Sequence, residues 1–286
     1  TLNQRANIRI QKSDKNHNIY STSALEGVFP FTIDDDANVL WLEADPGEYG
    51  SLLQHAFKIL KPMLKEKLSI IVDSSEFFQT TKDGTAIKLG IGSSAAVSVG
   101  ITQALFQYQE IESSPGNLLT QANSIHQILQ GKQGSGIDVT CCFADQGVIE
   151  CTKDSVKNQT WSILNWPNGL HLKVLTTGQG ASTKRLVTNY ERAGNLHSKE
   201  FKNALDQFME ITQNLSIAWK SEDVDHIISL LTAYDVQIKK LDKIGDIGIY
   251  TQVHTEIQNI ASRYNVFYKP SGAGGGDIGL AFSSSL

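Results

Sequence analysis

The order of apolar and polar residues predicts a chain in which strands and helices alternate at first and helices predominate later. Short alternating or continuously apolar runs predict strands at 6–11, 39–43, 68–74, 85–89, 147–151, 161–164 and 171–176. Apolar residues at helical spacing predict helices at 51–66, 93–109 and 116–130, and Pro62 predicts either a kink or an early end for the first. Four helical segments and two strands follow, at 182–192, 199–219, 223–241, 252–264, 266–268 and 278–283. We therefore expect an α+β fold with an N-terminal part, 1–180, and a C-terminal part, 181–286.

Composition narrows the class of protein. The 286 residues are 40% hydrophobic with a net charge of −5, and no apolar run approaches the roughly 18 residues of a membrane helix. These values exclude a disordered chain and argue against membrane or nucleic-acid partners. Residues 1–13 lack the apolar core of a signal peptide, and the three cysteines include the adjacent pair Cys141 and Cys142. This cysteine usage predicts reduced thiols and a cytoplasmic location.

The segment KLGIGSSAA at 88–96 is the leading candidate for chemistry. A predicted strand runs into Gly90 and Gly92 and then into a helix, so backbone N–H groups and the positive end of a helix dipole are available to an anion such as phosphate. Ser93 and Ser94 add hydroxyls, one of which suits a Mg²⁺ ion that bridges phosphates. The alternative interpretation is a tight turn with Ser93 as helix N-cap. The segment also fits a G-x-G-x-x-A dinucleotide fingerprint, which we set aside because a second helix follows where a strand is needed.

Three further glycine-rich segments follow. QGKQGSGID at 130–138 presents Lys132, which suits a phosphate charge, and Asp138, which suits orientation or deprotonation of a hydroxyl, although a turn former is the simpler interpretation of Asp138 alone. TGQGASTKRLV at 177–187 offers hydroxyls and basic residues but lacks the glycine before lysine of a Walker A loop. KPSGAGGGDIG at 269–279 indicates either a close approach of backbone to a ligand or other backbone, or a flexible hairpin. For His126, near the second segment, we favour helix packing over catalysis.

The order of these four segments resembles the GHMP kinase superfamily. The segment 90–96 is similar to the ATP phosphate loop of that superfamily, and 271–277 is similar to its third motif. Within the superfamily, HQILQGKQGSGID, ASTKRLV and the segment 269–279 most resemble the phosphomevalonate kinases of the eukaryotic or bacterial type. The resemblance extends from residue 68 to residue 282.

The resemblance implies a two-lobed GHMP kinase fold, with a ribosomal S5 domain 2-like N-terminal lobe and a ferredoxin-like C-terminal lobe. It implies ATP and Mg²⁺ as cofactors, and phosphoryl transfer to the phosphate of mevalonate 5-phosphate by a monomer or homodimer. The implied nucleotide-binding residues are Gly90, Gly92, Ser93, Ser94 and Ala95, with Ser94 as the Mg²⁺ ligand. The implied catalytic residues are Lys88, Lys132 and Asp138. The implied substrate-binding residues are Ser182, Thr183, Lys184, Gly274, Gly275 and Gly276.

The chain departs from the superfamily pattern in three ways. A lysine-bearing strand and a G-E-Y-like turn that begin other members do not precede Thr1, and we interpret GEY at 47–49 as coincidental. Gln127 stands eleven residues before Asp138, where mevalonate kinases have a metal-binding glutamate, and this favours the phosphomevalonate branch. The chain also ends soon after its last glycine motif, whereas the family usually continues for a further helix and strand. The alternatives are another GHMP small-molecule kinase, acting on mevalonate or a sugar, and a catalytically silent nucleotide-binding sensor.

Overall fold

A computed structural model describes residues 3–80, 86–131, 135–144, 147–153 and 159–285. The chain divides into two compact units. The first unit comprises Thr1–Ala86 and Gly92–Cys151, and the second comprises Ile87–Ile91 and Thr152–Leu286. The predicted boundary between residues 180 and 181 stays a prediction.

The first unit contains a five-stranded sheet with the strand order β1-β5-β2-β3-β4. Its strands are β1 (Asn7–Lys12), β2 (Asn18–Thr22), β3 (Phe29–Ile33), β4 (Val39–Trp41) and β5 (Leu68–Asp73). Strands β2 and β5 are parallel, while the other neighbours are antiparallel. In β5, Leu68, Ile70 and Val72 are buried while the residues between them are half-buried, the alternation expected of a strand with one face on the core.

The described residues of the first unit also form four α-helices, namely α1 (Glu48–Leu60), α2 (Ser93–Tyr108), α3 (Pro115–Leu129) and α4 (Ile137–Ala144), and a 3-10 turn at Ser75–Phe77. Helix α1 buries its apolar face as predicted and ends at Leu60, where Lys61 adopts a left-handed φ of 44° just before Pro62. The predicted early end is thereby confirmed. Helix α2 approaches β1 closely because Gly100 has no side chain: a Cβ there would lie 2.6 Å from Ile8 Cγ1.

The second unit contains a three-stranded antiparallel sheet with the strand order β10-β12-β11. Elsewhere in the described residues, β6 pairs with β7 and β8 pairs with β9. These strands are β6 (Phe78–Thr80), β7 (Ala86–Lys88), β8 (Val148–Lys153), β9 (Gln159–Leu164), β10 (His171–Thr176), β11 (Phe267–Pro270) and β12 (Ile278–Ser283). The remaining helices are α5 (Thr183–Leu196), α6 (Ser198–Lys220), α7 (Val224–Gly245) and α8 (Gln252–Ser262).

The predicted α+β class is confirmed, and so are the principal strands and helices, with ends that differ by a few residues. Strands β2, β3 and β6 and helix α4 were not predicted from the sequence. Cys141, Cys142 and Cys151 form no disulfide in the structure, and their reduced state in the cell stays a prediction. Among the described residues, no helix has both the length and the apolar character needed to cross a bilayer.

Candidate functional site

The predicted phosphate loop connects β7 to α2 through two glycines in left-handed conformation. Gly90 has a φ of 69° and Gly92 a φ of 90°, values that cost other residues free energy. Gly92 is the N-cap of α2, and Ser93 and Ser94 form the first turn of this sixteen-residue helix. The first N–H groups of a helix have no intrahelical partner, so this turn is suited to an anion. The predicted strand–glycine–helix geometry is therefore present.

Ser94 and Asp138 both lie beside a third side chain, that of His126 on α3. The Nε2 atom of His126 is 3.0 Å from Ser94 Oγ, at hydrogen-bonding distance. The Nδ1 atom of His126 is 3.7 Å from Asp138 Oδ2. The His126 side chain is only 1% exposed, and burial lowers the pKa of His126 while the Asp138 carboxylate acts in the opposite direction. A hydroxyl, an imidazole and a carboxylate from three helices of the first unit thus form one array.

Asp138 is placed by the turn that begins α4. Gly136 has a φ of 74°, and a Cβ at this position would lie 2.6 Å from the Asn123 side chain on α3, so only glycine lets the turn approach α3 this closely. The Thr140 hydroxyl donates to the Gly136 carbonyl at 2.9 Å. The Val139 N–H donates to Asp138 Oδ1 at 2.9 Å, which leaves Oδ2 on the side of His126. Lys132, in the same motif, lies outside the described residues.

The C-terminal glycine segment packs against other backbone within the second unit. The three glycines Gly274, Gly275 and Gly276 are buried. A Cβ on Gly276 would lie 2.7 Å from the Gln179 carbonyl oxygen, and one on Gly275 would lie 2.9 Å from Leu186 Cδ1. Of the two interpretations left open by the sequence, these contacts support close approach of backbone to backbone.

Asp277, which follows these glycines, connects three of the predicted motifs. Its N–H donates to the Gln179 carbonyl at 2.6 Å, and its carbonyl accepts from the Thr177 N–H at 2.8 Å. Its Oδ1 accepts from the Ala181 N–H at 3.1 Å. A Cβ on Gly90 would lie 2.5 Å from Asp277 Cβ, so Asp277 also packs directly on the first glycine of the phosphate loop.

The other predicted residues of the second unit lie at exposed positions. Ser182 is the N-cap of α5, and its hydroxyl accepts from the Arg185 N–H at 3.4 Å. Thr183 and Lys184 begin the same helix, and Lys88 ends β7; all are exposed. The structure brings Ser94 and Asp138 together in the first unit, and it brings Gly90, Gly276 and the start of the ASTK segment together around Asp277 in the second.

Two residues of these clusters were not identified from the sequence. His126 was interpreted as a packing residue; it is buried, as that interpretation requires, and it also contacts both candidate polar groups. Asp277 was not singled out within its glycine segment. The sequence offered one indication of both residues: each lies in or next to a motif that was recognised for its glycines.

His254 is hydrogen-bonded to the C-terminal glycine segment. Its environment leads us to expect that acid lowers the stability of the fold. Its Nε2 is 3.1 Å from the Gly276 carbonyl, which can only accept, so Nε2 carries the proton and Nδ1 accepts from the Tyr268 hydroxyl at 2.8 Å. Burial raises the pKa of Tyr268 to about 12, which keeps this hydroxyl protonated. Burial lowers the pKa of His254, with smaller opposing effects from Gly276 and Asp277.

The free energy of unfolding is therefore expected to fall as the pH drops below about 6.5, because the unfolded chain then binds a proton that the folded chain excludes until its lower pKa is reached. Urea denaturation at about pH 7.5 and about pH 5.5 measures this slope, and His254→Asn is expected to reduce it. Some slope is expected to persist, since burial also lowers the pKa values of His126 and His55. His226→Asn, at an exposed position, is the control. An unchanged slope in His254→Asn would contradict the prediction.

Oxygen donors suited to Mg²⁺ are present among the described residues. In the described part of the chain, no group of three or more His, Cys, Asp or Glu side chains is placed to hold a metal ion. Mg²⁺ usually binds through one or two protein oxygens together with water and substrate phosphates. The Ser94 hydroxyl and the Asp138 carboxylate, joined through His126, are compatible with that mode of binding.

Comparison with known proteins agrees with this interpretation of the motifs. Residues 51–146 match the family model described as GHMP kinases N terminal domain. A phosphomevalonate kinase from Streptomyces sp. (strain CL190) is 28% identical over 213 residues, which cover 68% of this chain and 57% of that relative.

Solved structures show the same fold. The Lin0012 protein from Listeria innocua has a TM-score of 0.80 at 24% identity, covering 96% of this chain and 81% of its own. Phosphomevalonate kinase from Streptococcus pneumoniae, in complex with phosphomevalonate and AMPPNP, has a TM-score of 0.75 at 18% identity, covering 98% and 82%. A mevalonate kinase from L. major and a galactokinase from Lactococcus lactis also share the fold. The chain therefore has the fold of these solved structures, and its residues 51–146 are similar to the N-terminal domain of GHMP kinases, as the motifs predicted.

Proposed function

We propose that this chain is an ATP-dependent kinase that phosphorylates the phosphate group of mevalonate 5-phosphate, giving mevalonate 5-diphosphate and ADP. The observation that carries the kinase assignment is the contact of His126 with both Ser94, at the start of α2, and Asp138, at the start of α4. Ser94 lies in the phosphate loop, and Asp138 is the acidic residue of the segment GSGID at 134–138. Phosphoryl transfer depends on this combination of positioned phosphates and a placed acidic group.

The proposed step is a direct transfer. An oxygen of the acceptor phosphate forms a bond to the γ-phosphorus of ATP, and the bond from the γ-phosphorus to the bridging oxygen breaks, so that this oxygen leaves with ADP. Gly90, Gly92 and the first turn of α2 would hold the nucleotide phosphates, and the Ser94 hydroxyl would hold the Mg²⁺ ion. Mg²⁺, when bound, supplies positive charge to the phosphates.

Asp138 has an electrostatic and orienting role in this proposal. The second pKa of a phosphate group is ~6, so the acceptor is already largely ionised near neutral pH and needs no strong base. Lys88 and Lys132 supply positive charge to the transferring and acceptor phosphates, as the motif resemblance implies. Ser182, Thr183, Lys184 and Gly274–Gly276 are assigned to the acceptor side of the site on the same ground.

The choice of acceptor rests on sequence. The similarity to the Streptomyces phosphomevalonate kinase and the presence of Gln127 in place of a metal-binding glutamate favour mevalonate 5-phosphate. A mevalonate kinase and a galactokinase share the fold, so mevalonate and sugars are the competing acceptors. The cytoplasmic location and the monomeric or homodimeric state stay predictions.

The test is ADP release from Mg²⁺-ATP with mevalonate 5-phosphate, mevalonate and a panel of hexoses, with Asp138→Asn as the background control. Turnover with mevalonate 5-phosphate alone, together with appearance of a diphosphate in the ³¹P spectrum, is the expected result. Turnover only with mevalonate or a hexose would keep the kinase and replace the acceptor. ATP binding without turnover of any acceptor would replace the proposal with a nucleotide sensor.

A further inference from the structure

His126 occupies a position that neither packing nor the proposed chemistry has yet accounted for. Its ring is buried between α2 and α4. Its Nε2 atom is at hydrogen-bonding distance from the Ser94 hydroxyl, and its Nδ1 atom faces the Asp138 carboxylate. In the part of the chain that the structure describes, its Nδ1 atom has no hydrogen-bond partner, although it is buried and 3.7 Å from a carboxylate oxygen. Buried polar atoms are normally paired, so this arrangement calls for an explanation.

The two neighbours decide where the proton of the imidazole resides. A neutral imidazole has one N–H donor and one bare nitrogen acceptor. Asp138 Oδ2 is an acceptor when ionised, so the tautomer with the proton on Nδ1 places a donor toward the carboxylate and avoids two facing lone pairs. Nε2 is then the acceptor, and the Ser94 hydroxyl must donate to it across 3.0 Å.

This direction of donation changes what Ser94 offers to a ligand. A serine hydroxyl has one proton and two lone pairs. With its proton directed at His126, the half-buried Ser94 oxygen keeps both of its lone pairs for another partner. Lone pairs are what a Mg²⁺ ion needs from a hydroxyl, whereas a proton directed at the cation would repel it.

We propose that His126 is a positioning residue, which Asp138 holds in the Nδ1–H tautomer and which orients the Ser94 hydroxyl as a lone-pair donor to the metal ion of Mg²⁺-ATP. The inference rests on the proposed nucleotide site but not on the identity of the acceptor. It couples the acidic residue of one motif, Asp138, to the proposed metal ligand of another, Ser94, through a buried histidine.

The tautomer can be measured directly. Long-range ¹H–¹⁵N NMR of the full chain labelled with ¹⁵N-histidine distinguishes protonated from bare ring nitrogens, and His126→Gln identifies the His126 signals among the seven histidines. We expect the proton on Nδ1 near neutral pH, and we expect Asp138→Ala to abolish that preference. A proton on Nε2 in the unaltered chain would overturn the inference, whatever the protein phosphorylates.

The consequence for the metal can be measured by binding alone. Titration calorimetry of ATP with Mg²⁺ and with excess chelator separates the contribution of the metal. His126→Phe keeps a flat ring but lacks the acceptor, and we expect it to weaken binding of Mg²⁺-ATP by about tenfold while metal-free ATP binds as before. His126→Gln can place its amide oxygen near Nε2, and we expect it to retain affinity within about threefold.

A double-mutant cycle distinguishes positioning from general packing. If His126 acts through Ser94, His126→Phe should cause no further loss of Mg²⁺-ATP affinity in a Ser94→Ala background. Equal losses with and without Mg²⁺, or additive losses in the double variant, would assign His126 a purely structural role and overturn the inference. Melting temperatures of all variants establish that the compared proteins are folded.

Discussion

Asp138→Asn is expected to lower turnover by about 100-fold or more while the affinity for Mg²⁺-ATP changes by less than about threefold. The substitution removes the negative charge but keeps nearly the same shape. Its one side-chain oxygen can take the place of Oδ2 and face His126 Nδ1, and the hydrogen bond that the Val139 N–H donates to Oδ1 is then lost. In that orientation the array with Ser94 is preserved, and the loss isolates the charge. Steady-state turnover and nucleotide calorimetry on the same preparation measure the two quantities.

The matched control is Asp225→Asn. Asp225 is also an acidic residue in the first turn of a helix, α7, and it is exposed. Removing this carboxylate causes a similar change in net charge and in the helix-dipole interaction, so turnover is expected to remain within about twofold. Near-normal turnover in Asp138→Asn, or equal losses in both variants, would contradict the assignment of Asp138.

The glycine motifs could be located from the sequence because each of them meets a local requirement of the backbone that favours glycine. A left-handed φ at Gly90 and Gly92, and the close approach at Gly136, are needs that few other residues meet. The early end of α1 was predictable for the same reason, because Pro62 restricts the residue before it. Local backbone chemistry was thus sufficient to place the candidate loops and most of the elements around them.

The elements that were not predicted lack the usual sequence pattern of a strand or a helix. In β2, the buried face includes Asn18 and Thr22 as well as Tyr20, so polarity does not alternate with burial. The Asn18 side chain satisfies its place in the core by accepting from the Leu68 N–H at 2.9 Å. Strand β3 contains Pro30, which argues against a strand within the sheet when only the sequence is available. Helix α4 has only eight residues, too few for a helical period to stand out.

The functions of His126 and Asp277 arise from contacts between distant parts of the chain. His126 meets Ser94 across 32 residues of sequence, and Asp277 meets Ala181 across 96. Neither pairing has a periodic or compositional signature. His126 also follows Ala122 and Ile125 on the buried face of α3, so its pattern is that of a core residue. Only the packing of the helices and loops reveals which polar atoms face each other.

Gly90→Ala is expected to lower kcat/KM for ATP by about 10- to 100-fold. A methyl group at this position would lie 2.5 Å from Asp277 Cβ, and the φ of 69° is unfavourable for any residue with a side chain. Because Asp277 is held by hydrogen bonds to Gln179, Thr177 and Ala181, it cannot move aside without disturbing those segments. The loop itself must therefore shift, and a displacement of about 1 Å in a positioning element costs up to about 100-fold in rate. Initial rates across a range of ATP concentrations measure the loss.

Three companion variants separate the steric clash from the backbone strain. Gly92→Ala introduces a comparable strain, at a φ of 90°, but its methyl group would meet no atom within 4 Å. We expect it to lose less than Gly90→Ala, because the cost of the left-handed conformation alone is about 1–2 kcal/mol. Asp277→Gly removes the atoms that the methyl group introduced by Gly90→Ala would strike, and it also relieves the φ of 52° at position 277. The double variant Gly90→Ala/Asp277→Gly should therefore be less impaired than the two single losses added together. If instead the losses are additive, the contact between Gly90 and Asp277 does not set the position of the phosphate loop.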